Sequence, residues 1–221
     1  MKKILISVEG QTEEQFVERV LQPLFPSEQC FLQPIVLTTR RDPSGRTYKG
    51  GIVSYARIHA EVKRLLGDTS ADAVTTMYDY YGLPDDFPGK DTLKPSWSPY
   101  EKVRHLECAF AKDINDPRFI PYLSLHEFEA LLLADIPQVI QYLKQTYGTV
   151  RTKLLQHLSQ SPEAVDENEP PSHRLQEACR SYSKLADGLL LAERIEIQTM
   201  RSRCPHFNDW VLQLQSKCSD C

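Results

Sequence analysis

The sequence predicts an α/β protein with a mostly parallel central sheet, helices on both faces of the sheet and a helical C-terminal region. Over residues 1–135, short apolar segments rich in β-forming residues alternate with helical segments, as in parallel sheets. From Ile136 onward, strand signals fade and helical spacing dominates. We therefore predict an α/β core at 1–135 and a helical region at 136–221 that packs on it, although the 221 residues would also fit one single domain.

The chain opens with a strand–turn–helix unit. A short apolar strand is predicted at Ile4–Val8 and ends at Glu9. The next helix is predicted to begin at Thr12, because Thr12 and Gln15 have the spacing of a capping box. A second strand is predicted at Gln33–Leu37, followed by a loop in which the sequence D-P-S-G indicates a turn.

The following segments continue the alternation of helix and strand. Helical spacing covers Ile52–Leu66, and a third strand at Ala73–Tyr78 leads directly into Asp79. Residues 81–89 contain two prolines and two glycines, which exclude regular structure. Beyond them we predict, in order, a helix at Tyr100–Lys112, a strand at Phe119–Leu125, a helix at His126–Asp135 and a polar flexible loop at Ser159–Ser172.

Composition is that of a packed globular protein, with 41% apolar and 25% charged residues. No apolar stretch approaches the roughly 20 residues of a membrane helix. The first apolar run is too short for a signal peptide and is closed by Glu9. We therefore expect a cytoplasmic protein with no membrane association, in which most of the six cysteines are free thiols and Cys218 and Cys221 lie in a frayed tail.

Charge is distributed unevenly along the chain. The net charge of −4 argues weakly against a protein that coats nucleic acid. Between Thr38 and Arg64, however, the sequence contains seven basic residues and only two acidic ones. Within this segment Lys49, with two following glycines, is a candidate for binding phosphate, or simply an exposed lysine in a glycine turn. The candidates for contact with a phosphate backbone in this segment are Arg40, Arg41, Arg46 and Lys49.

Acidic residues follow three of the predicted strands at the point where each strand ends. Glu9 follows the first strand, Asp79 the third, and Glu127 and Glu129 the fourth. Ligands of open α/β sheets bind beyond the carboxyl ends of the strands, so these carboxylates are expected to converge. Hard oxygen ligands of this kind suit Mg²⁺ or Mn²⁺. The sequence therefore predicts a metal site, with these four residues as its ligands and catalytic groups.

Each of these residues also has a purely structural interpretation. Glu9 could cap the next helix, and Asp79 could form a turn. Glu127 and Glu129 lie two positions apart and would point to different faces of a helix, so at most one is expected to reach the metal directly. His126 in such a position is more often a packing residue than a ligand.

Ordered motifs connect the chain with a known family. The segment V-E-G-Q-T-E at residues 8–13 resembles the V-E-G-x-T-E signature that opens the topoisomerase–primase (Toprim) domains of the overcoming-lysogenization-defect nucleases. Over residues 4–214 the chain more closely resembles the prokaryotic family catalogued as domain of unknown function 4276. The matching stretches are Arg46–Gly51, Thr75–Pro84, His126–Leu132, Tyr182–Lys184, Asp187-Gly188, Arg201, Cys204–Phe207 and Trp210.

This resemblance implies a Toprim-like fold whose metal site combines a glutamate after the first strand with a later Asp-x-Asp. Glu9 and Asp79 match these positions, but Tyr81 stands where the second Asp is expected. In related families an E-x-E-like helix supplies further carboxylates, which here would be Glu127 and Glu129, and Asp85 is a further candidate. Lys184, Arg201 and His206 could contact a phosphate, while Phe207 and Trp210 are expected to be core anchors.

Two functional hypotheses follow. The first is a Mg²⁺-dependent nuclease acting on DNA or RNA, motivated by the converging carboxylates and the Toprim signature. The resemblance implies that such a nuclease is a phage-defence effector that works with an ATPase of the ABC or SMC type and that can form a homodimer. The second is a non-catalytic Toprim-like subunit, motivated by Tyr81 and the negative net charge. Hydrolysis of a small phosphate ester by the same site remains a third alternative.

Overall fold

The computed structural model describes residues 1–26, 28–41, 47–49, 54–156, 161–164 and 169–219, and of Thr38–Arg41, Thr47–Lys49 and Gln156 only the backbone. The strands are β1 Lys2–Val8, β2 Cys30–Val36, β3 Thr38–Arg41, β4 Thr47–Lys49, β5 Ala73–Asp79, β6 Phe119–Ile120 and β7 Leu123–Ser124. The helices are α1 Gln11–Phe16, α2 Tyr55–Leu66, α3 Pro99–Ile114, α4 Glu129–Leu132, α5 Ile136–Tyr147, α6 Lys153–Gln156, α7 Pro171–Ala178, α8 Lys184–Arg194, α9 Ile197–Arg203 and α10 Pro205–Ser219.

The central sheet is parallel and has the order β2-β1-β5-β6, with β7 also pairing with β5. Strand β1 is buried on both faces, as expected for a strand inside a parallel sheet. Ile4, Ile6 and Val8 pack into one apolar cluster, and Leu5 packs into the other. The predicted α/β class with a mostly parallel sheet and a helical C-terminal region is confirmed.

Helices cover the two faces of the sheet unequally. Helices α2 and α3 pack on one face through residues such as Val62, Leu106 and Phe110. The opposite face is covered by α1, α10 and the helices between α4 and α9. This second cluster joins Ile4 and Phe16 to residues as distant as Leu214, so the helical C-terminal region shares its core with the first strands.

Several predicted boundaries are wrong for identifiable reasons. Helix α1 begins at Gln11 with Gly10 as its N-cap and without a side-chain cap, so the predicted capping box at Thr12 is absent. Thr12 is instead buried. The fourth predicted strand is broken into β6 and β7 around Pro121, because proline cannot donate to a sheet ladder. The loop after β2 contains the antiparallel hairpin β3–β4.

Two further predictions concern segments that are only partly described. The predicted helix at Ile52–Leu66 is observed as α2 from Tyr55, while residues 50–53 lie outside the described residues. Within the predicted loop at Ser159–Ser172, Pro162–Ala164 forms a 3-10 turn and α7 begins at Pro171. Glu163 in that turn is buried, because its carboxylate accepts hydrogen bonds from the backbone of α10.

A disulfide connects the start of β2 with the end of α10. Cys30 and Cys218 are bonded, with their Cα atoms 5.5 Å apart. The prediction that Cys218 is a free thiol in a frayed tail is therefore wrong: α10 continues to Ser219 and returns its last turn to the sheet. Cys108, Cys179 and Cys204 are free, and Cys221 lies outside the described residues.

None of the helices in the described part of the chain combines the length and the apolar character that crossing a membrane requires.

Candidate functional site

The topology brings carboxylates from three chain segments to one edge of the sheet. Strands β1 and β5 are neighbours, with Val8 paired to Met77, and Asp79 at the end of β5 is paired to Ser124 of β7. Glu9 follows β1 directly and Glu129 opens α4, just after β7. Because all these strands are parallel, their carboxyl ends lie together, and Glu9, Asp79 and Glu129 converge.

Glu9 and Asp79 are joined by a hydrogen bond across the two central strands. The backbone amide of Asp79 donates to Glu9 Oε1 over 2.8 Å. The chain then turns through a short 3-10 segment at Tyr80–Gly82. Gly82 packs against the Glu9 carboxylate, and a Cβ at this position would lie 3.3 Å from Oε1. A glycine therefore permits the close approach of this turn to Glu9.

Asp79 also fixes the turn that leads from β7 to α4. Its Oδ1 accepts a hydrogen bond from the amide of Phe128 over 2.9 Å. This bond, together with the left-handed backbone of His126 (φ 68°), accounts for the late start of the helix. The predicted helix at His126–Asp135 is thus wrong in its first turn, since α4 begins at Glu129.

Lys184, at the start of α8, extends its ammonium group into the carboxylate cluster. Its Nζ lies 2.9 Å from Glu13 Oε1, 3.3 Å from Asp79 Oδ2 and 3.5 Å from Glu129 Oε2. It also lies over the ring of Phe128, 5.6 Å from the centroid. Gly188, one turn along α8, brings this helix close to α1, because a Cβ there would lie 3.3 Å from Thr12 Cγ2.

One lysine does not neutralise this group of acids. Burial, together with the charge of Asp79, raises the pKa of Glu9 to about 8. Burial likewise raises the pKa of Glu129 to about 7 and that of Asp79 to about 6, although Lys184 acts in the opposite direction. Burial lowers the pKa of Lys184, but the charges of Asp79, Glu13 and Glu129 outweigh this effect and raise it above its usual value. The cluster is short of positive charge.

The donor atoms fit a hard divalent cation in chemistry and in charge. Buried carboxylate oxygens are the ligands that Mg²⁺ and Mn²⁺ prefer. Glu13 Oε1 is buried, and within the described residues it contacts the ammonium of Lys184 at 2.9 Å. As these side chains stand, however, no three His, Cys, Asp or Glu residues of the described ranges are placed to hold a metal. Lys184 already contacts three of the carboxylates, so a cation would have to share them with it or displace it.

Glu127 occupies a different position from Glu129. Its Oε2 accepts a hydrogen bond from the amide of Ser172, at the start of α7. Its negative charge nevertheless raises the pKa of both Asp79 and Glu129. Of the two glutamates, Glu129 contacts Lys184, whereas Glu127 is hydrogen-bonded to the start of α7.

Tyr81 occupies the position at which the resemblance would place a second Asp. Its hydroxyl is hydrogen-bonded to His126 Nδ1 over 2.6 Å, and its backbone amide donates to the His126 carbonyl over 3.3 Å. The other ring nitrogen of His126, Nε2, lies 3.2 Å from the carbonyl oxygen of Glu163. His126 is fully buried, so it packs and orients Tyr81.

The predicted phosphate-binding residues do not form one group. Lys184 lies among the carboxylates, whereas the Nε of Arg201 donates to Asn208 Oδ1 between α9 and α10. Asp85 is exposed and pairs with Lys90, away from the cluster. The remaining candidates were Arg40, Arg41, Arg46 and Lys49. Arg46 and the side chains of the other three lie outside the described residues.

A small cavity of about 250 Å³ opens onto the cluster. It is lined by the turn after β1, the first three residues of α1 and the first two of α8, including Glu9, Glu13 and Lys184. Leu185, which also lines it, has 70% of its surface exposed. Glu9, Glu13 and Lys184 thus border the cavity, whereas Asp79 and Glu129 lie behind them and do not line it.

A protein-family model described as Domain of unknown function (DUF4276) matches residues 8–215. The chain belongs to this family. The range of the DUF4276 match contains Glu9, Glu13, Asp79, Glu129 and Lys184. No curated protein and no solved structure matches the chain.

Sequence reasoning missed one acid of this site. Glu13 was not among the predicted ligands, but its carboxylate is 5% exposed and contacts Lys184. The signal was available, since Glu13 is the final residue of V-E-G-Q-T-E. Lys184 was expected to contact phosphate, and its pairing with acids from α1, β5 and α4 could not be inferred from a position 105 residues away from Asp79.

Proposed function

We propose that the chain is a Toprim-like, divalent-metal-dependent phosphodiesterase that cleaves nucleic acid. The observation that carries this proposal is the convergence of Glu9, Glu13, Asp79 and Glu129 at the carboxyl edge of the parallel sheet, where Lys184 forms ion pairs with the last three of these acids. The resemblance of residues 8–13 to the signature of overcoming-lysogenization-defect nucleases supports it. A phage-defence role beside an ABC- or SMC-type ATPase belongs to the same proposal.

Glu9, Asp79 and Glu129 would hold Mg²⁺ or Mn²⁺, and a metal so bound would polarise a phosphoryl oxygen and lower the pKa of a bound water. The chain's own residues prepare this site. The amides of Asp79 and Phe128 fix the carboxylates of Glu9 and Asp79, so that both are oriented before any ligand binds. The ammonium of Lys184, 35% exposed, would offer a positive charge to an incoming phosphate.

The proposal is tested by metal titration followed by cleavage assays. Isothermal titration of Mg²⁺ and Mn²⁺ is expected to show saturable binding to the wild type and loss of binding in Glu9→Gln and Asp79→Asn, which keep the side-chain shape. The same variants are expected to lose cleavage of single- and double-stranded DNA or RNA by about 100-fold or more, because metal ligands support the reaction directly. Asp85→Asn, a change at an exposed loop carboxylate, is the matched control.

Absence of saturable binding and of cleavage in the wild type, with any ATPase partner also supplied, would refute the proposal. Equal loss in Asp85→Asn would also count against it, because a general effect of charge would then explain the result.

A non-catalytic Toprim-like subunit is the second candidate. Two observations favour it: Lys184 already contacts three of the carboxylates, and Tyr81 replaces the second Asp and is bound to His126. If no metal binds and no nucleic acid is cut while a partner protein is retained, this second function is the better explanation, whereas tight Mg²⁺ binding that depends on Glu9 would count against it.

A further inference from the structure

A second cleft lies apart from the carboxylate cluster, between α3 and α10 at the β6–β7 edge of the sheet. Its volume is about 460 Å³, within the range of small-molecule sites. None of the carboxylates that contact Lys184 lines it. The residues that matter for its chemistry are Tyr100, Arg104, Glu107, His206, Asp209 and Trp210.

One wall of this cleft is a fixed stack of aromatic rings. Trp210 stacks on Tyr122 with ring centroids 4.2 Å apart, and Tyr122 stacks on His206 at 5.2 Å. Tyr100 meets the His206 ring edge-on at 5.6 Å. The indole of Trp210 is held by a hydrogen bond from Nε1 to Thr75 Oγ1, so the wall is rigid before any ligand arrives. Trp210, Tyr122 and His206 are only 2%, 1% and 6% exposed, so they present little more than their edges to the cleft, and the half-buried Tyr100 is the ring of this wall that a ligand can cover.

Only one of the two carboxylate oxygens of Glu107 forms hydrogen bonds with the residues that the structure describes. Glu107 Oε1 accepts a hydrogen bond from the amide of Leu123 and lies 3.0 Å from His206 Nε2. Its second oxygen, Oε2, makes no hydrogen bond with the residues that the structure describes. Burial lowers the pKa of His206, but its hydrogen bond to Glu107 and the negative charges of Glu107 and Glu163 together outweigh that effect and raise the pKa above the usual value. His206 is therefore committed to Glu107, and Glu107 Oε2 remains available as an acceptor.

A positive charge stands at the mouth of the same cleft. Arg104 is exposed, lies 5.8 Å from the centroid of the Tyr100 ring, and forms no salt bridge within the described ranges. An aromatic wall suits a planar ring, a carboxylate oxygen suits an amino group on that ring, and a guanidinium suits a phosphate. An aliphatic acid or a lipid would leave the acceptor of Glu107 without a partner.

We propose that the cleft between α3 and α10 binds a nucleotide unit, with the base against Tyr100 and the edge of the aromatic wall, an exocyclic amine of the base donating to Glu107 and the phosphate beside Arg104. The unit is either a free nucleotide or one residue of a single-stranded nucleic acid, since both carry the same groups. The site stands on its own geometry and does not depend on the phosphodiesterase proposal.

Fluorescence of Trp210 tests this site directly. In a Trp97→Phe background, Trp210 is the remaining tryptophan of the chain. Adenosine, guanosine and cytidine monophosphates are titrated into the protein in chelator, together with a single-stranded 12-nucleotide DNA. Saturable quenching is expected for at least one of these probes, and comparison of the mononucleotides with the DNA identifies the source of the unit.

Two variants and a base-free probe define the outcome. Glu107→Gln and Arg104→Met are each expected to weaken binding by about tenfold, because each removes a charge-assisted contact. Arg104 is exposed, so its variant should fold even if Glu107→Gln does not. Ribose 5-phosphate, which has no base, is expected not to quench.

The proposal is overturned if no probe quenches saturably, if Arg104→Met and Glu107→Gln bind as the wild type does, or if ribose 5-phosphate binds as well as the nucleotides. Nucleotide binding in this cleft, without metal binding at Glu9, would support the nucleotide site and count against the phosphodiesterase proposal.

Discussion

At the scale of single residues, Lys184 largely sets the electrostatics of the candidate site. It places one positive charge among Glu13, Asp79 and Glu129, with Glu9 also nearby. The lysine stabilises the carboxylates when no metal is bound, and it competes with a metal for the same oxygens. Its removal should therefore have opposite effects on the metal-free stability and on the response to metal.

Replacing Lys184 by methionine should destabilise the metal-free protein by about 2 kcal/mol, a value reduced from that of fully buried pairs because the side chain is 35% exposed. Added Mg²⁺ should then raise the melting temperature of the variant more than that of the wild type. Thermal melts with chelator and with Mg²⁺ measure both effects. Arg19→Met, which breaks an exposed pair with Glu193, is the control. An unchanged response to Mg²⁺ in Lys184→Met would show that the lysine and the metal do not compete.

The raised carboxylate pKa values predict a dependence of stability on pH. The folded-state pKa values of Glu9, Glu129 and Asp79 are about 8, 7 and 6, against ordinary values of 4.5, 4.5 and 3.8. Between roughly pH 4 and 8 the folded protein therefore binds more protons than the unfolded chain. Their contribution to stability is fully present below about pH 4 and is lost as pH rises through 6 to 8.

In chelator, the melting temperature should consequently be lower at pH 8.5 than at pH 5.5, by about 5 °C for a chain of this size. Glu9→Gln should flatten this dependence, because an amide carries no charge at either pH. Asp85→Asn should leave it unchanged. A melting temperature that is constant or that rises between these pH values would contradict the assignment of protonated carboxylates.

The residues of the site were predictable only in part. Glu9, Asp79 and Glu129 could be predicted because each follows a strand of a parallel sheet, and the topology alone brings such positions together. The hydrogen bond from the Phe128 amide to Asp79 could not be predicted. It depends on the left-handed conformation of His126, a rare backbone state for which the sequence carries no signal.

At the scale of elements, Asp187 joins α5 to α8. Its carboxylate accepts hydrogen bonds from the hydroxyl groups of Tyr142 and Tyr147, both on α5, and from the amide of Ser183 at the N-cap of α8. Asp187 is 2% exposed, and its bond to Tyr142 is buried while the other two are partly buried. The same helix carries Lys184 in its first turn, so the Asp187 contacts hold the lysine in place.

Asp187→Ala should lower the free energy of unfolding by about 3 kcal/mol, because one buried hydroxyl, one half-buried hydroxyl and one amide lose their acceptor. Tyr147→Phe, which removes one of the three donors, should cost about 1 kcal/mol. Urea denaturation measures both. Equal stability of Asp187→Ala and the wild type would mean that water replaces the carboxylate without cost.

Element type was easier to predict than element boundaries. Strand β5 was placed nearly to the residue, because Ala73–Tyr78 is rich in β-forming residues and is followed directly by an acidic residue. The capping box expected at Thr12 failed because Thr12 faces the core, where tertiary packing overrides a local capping preference. The fourth strand was overextended because the effect of Pro121 on its ladder was not considered.

At the scale of the whole molecule, the disulfide between Cys30 and Cys218 spans a sequence separation of 188 residues. Cross-links that close long loops restrict the unfolded chain most strongly. Cys218→Ser should therefore destabilise the oxidised protein by roughly 2–5 kcal/mol. Urea melts with and without reductant measure this loss. Cys108→Ser, at an exposed free thiol, should behave as the wild type. If neither reductant nor Cys218→Ser lowers the free energy of unfolding, the disulfide does not contribute to stability.

The prediction of a core at 1–135 with a helical region at 136–221 packed on it could not include the disulfide that links the two. The C-terminal region contributes Cys218 and Trp210, among others, to the core and Lys184 to the site. None of these three residues carries a local signal of its distant partner. Only a three-dimensional arrangement reveals such pairings, because periodicity and turn signals report near neighbours.

The disulfide divides the oxidised molecule into a closed covalent ring, from Cys30 to Cys218, and the segment that precedes Cys30. Asp79, Glu129 and Lys184 belong to the ring, whereas Glu9 and Glu13 belong to the preceding segment, whose strand β1 lies between β2 and β5. The carboxylate cluster is therefore complete only when this segment is inserted into the ring. A single cut of the backbone within the ring would leave all five residues covalently connected, whereas a cut between Glu13 and Cys30 would turn one site into two separable halves.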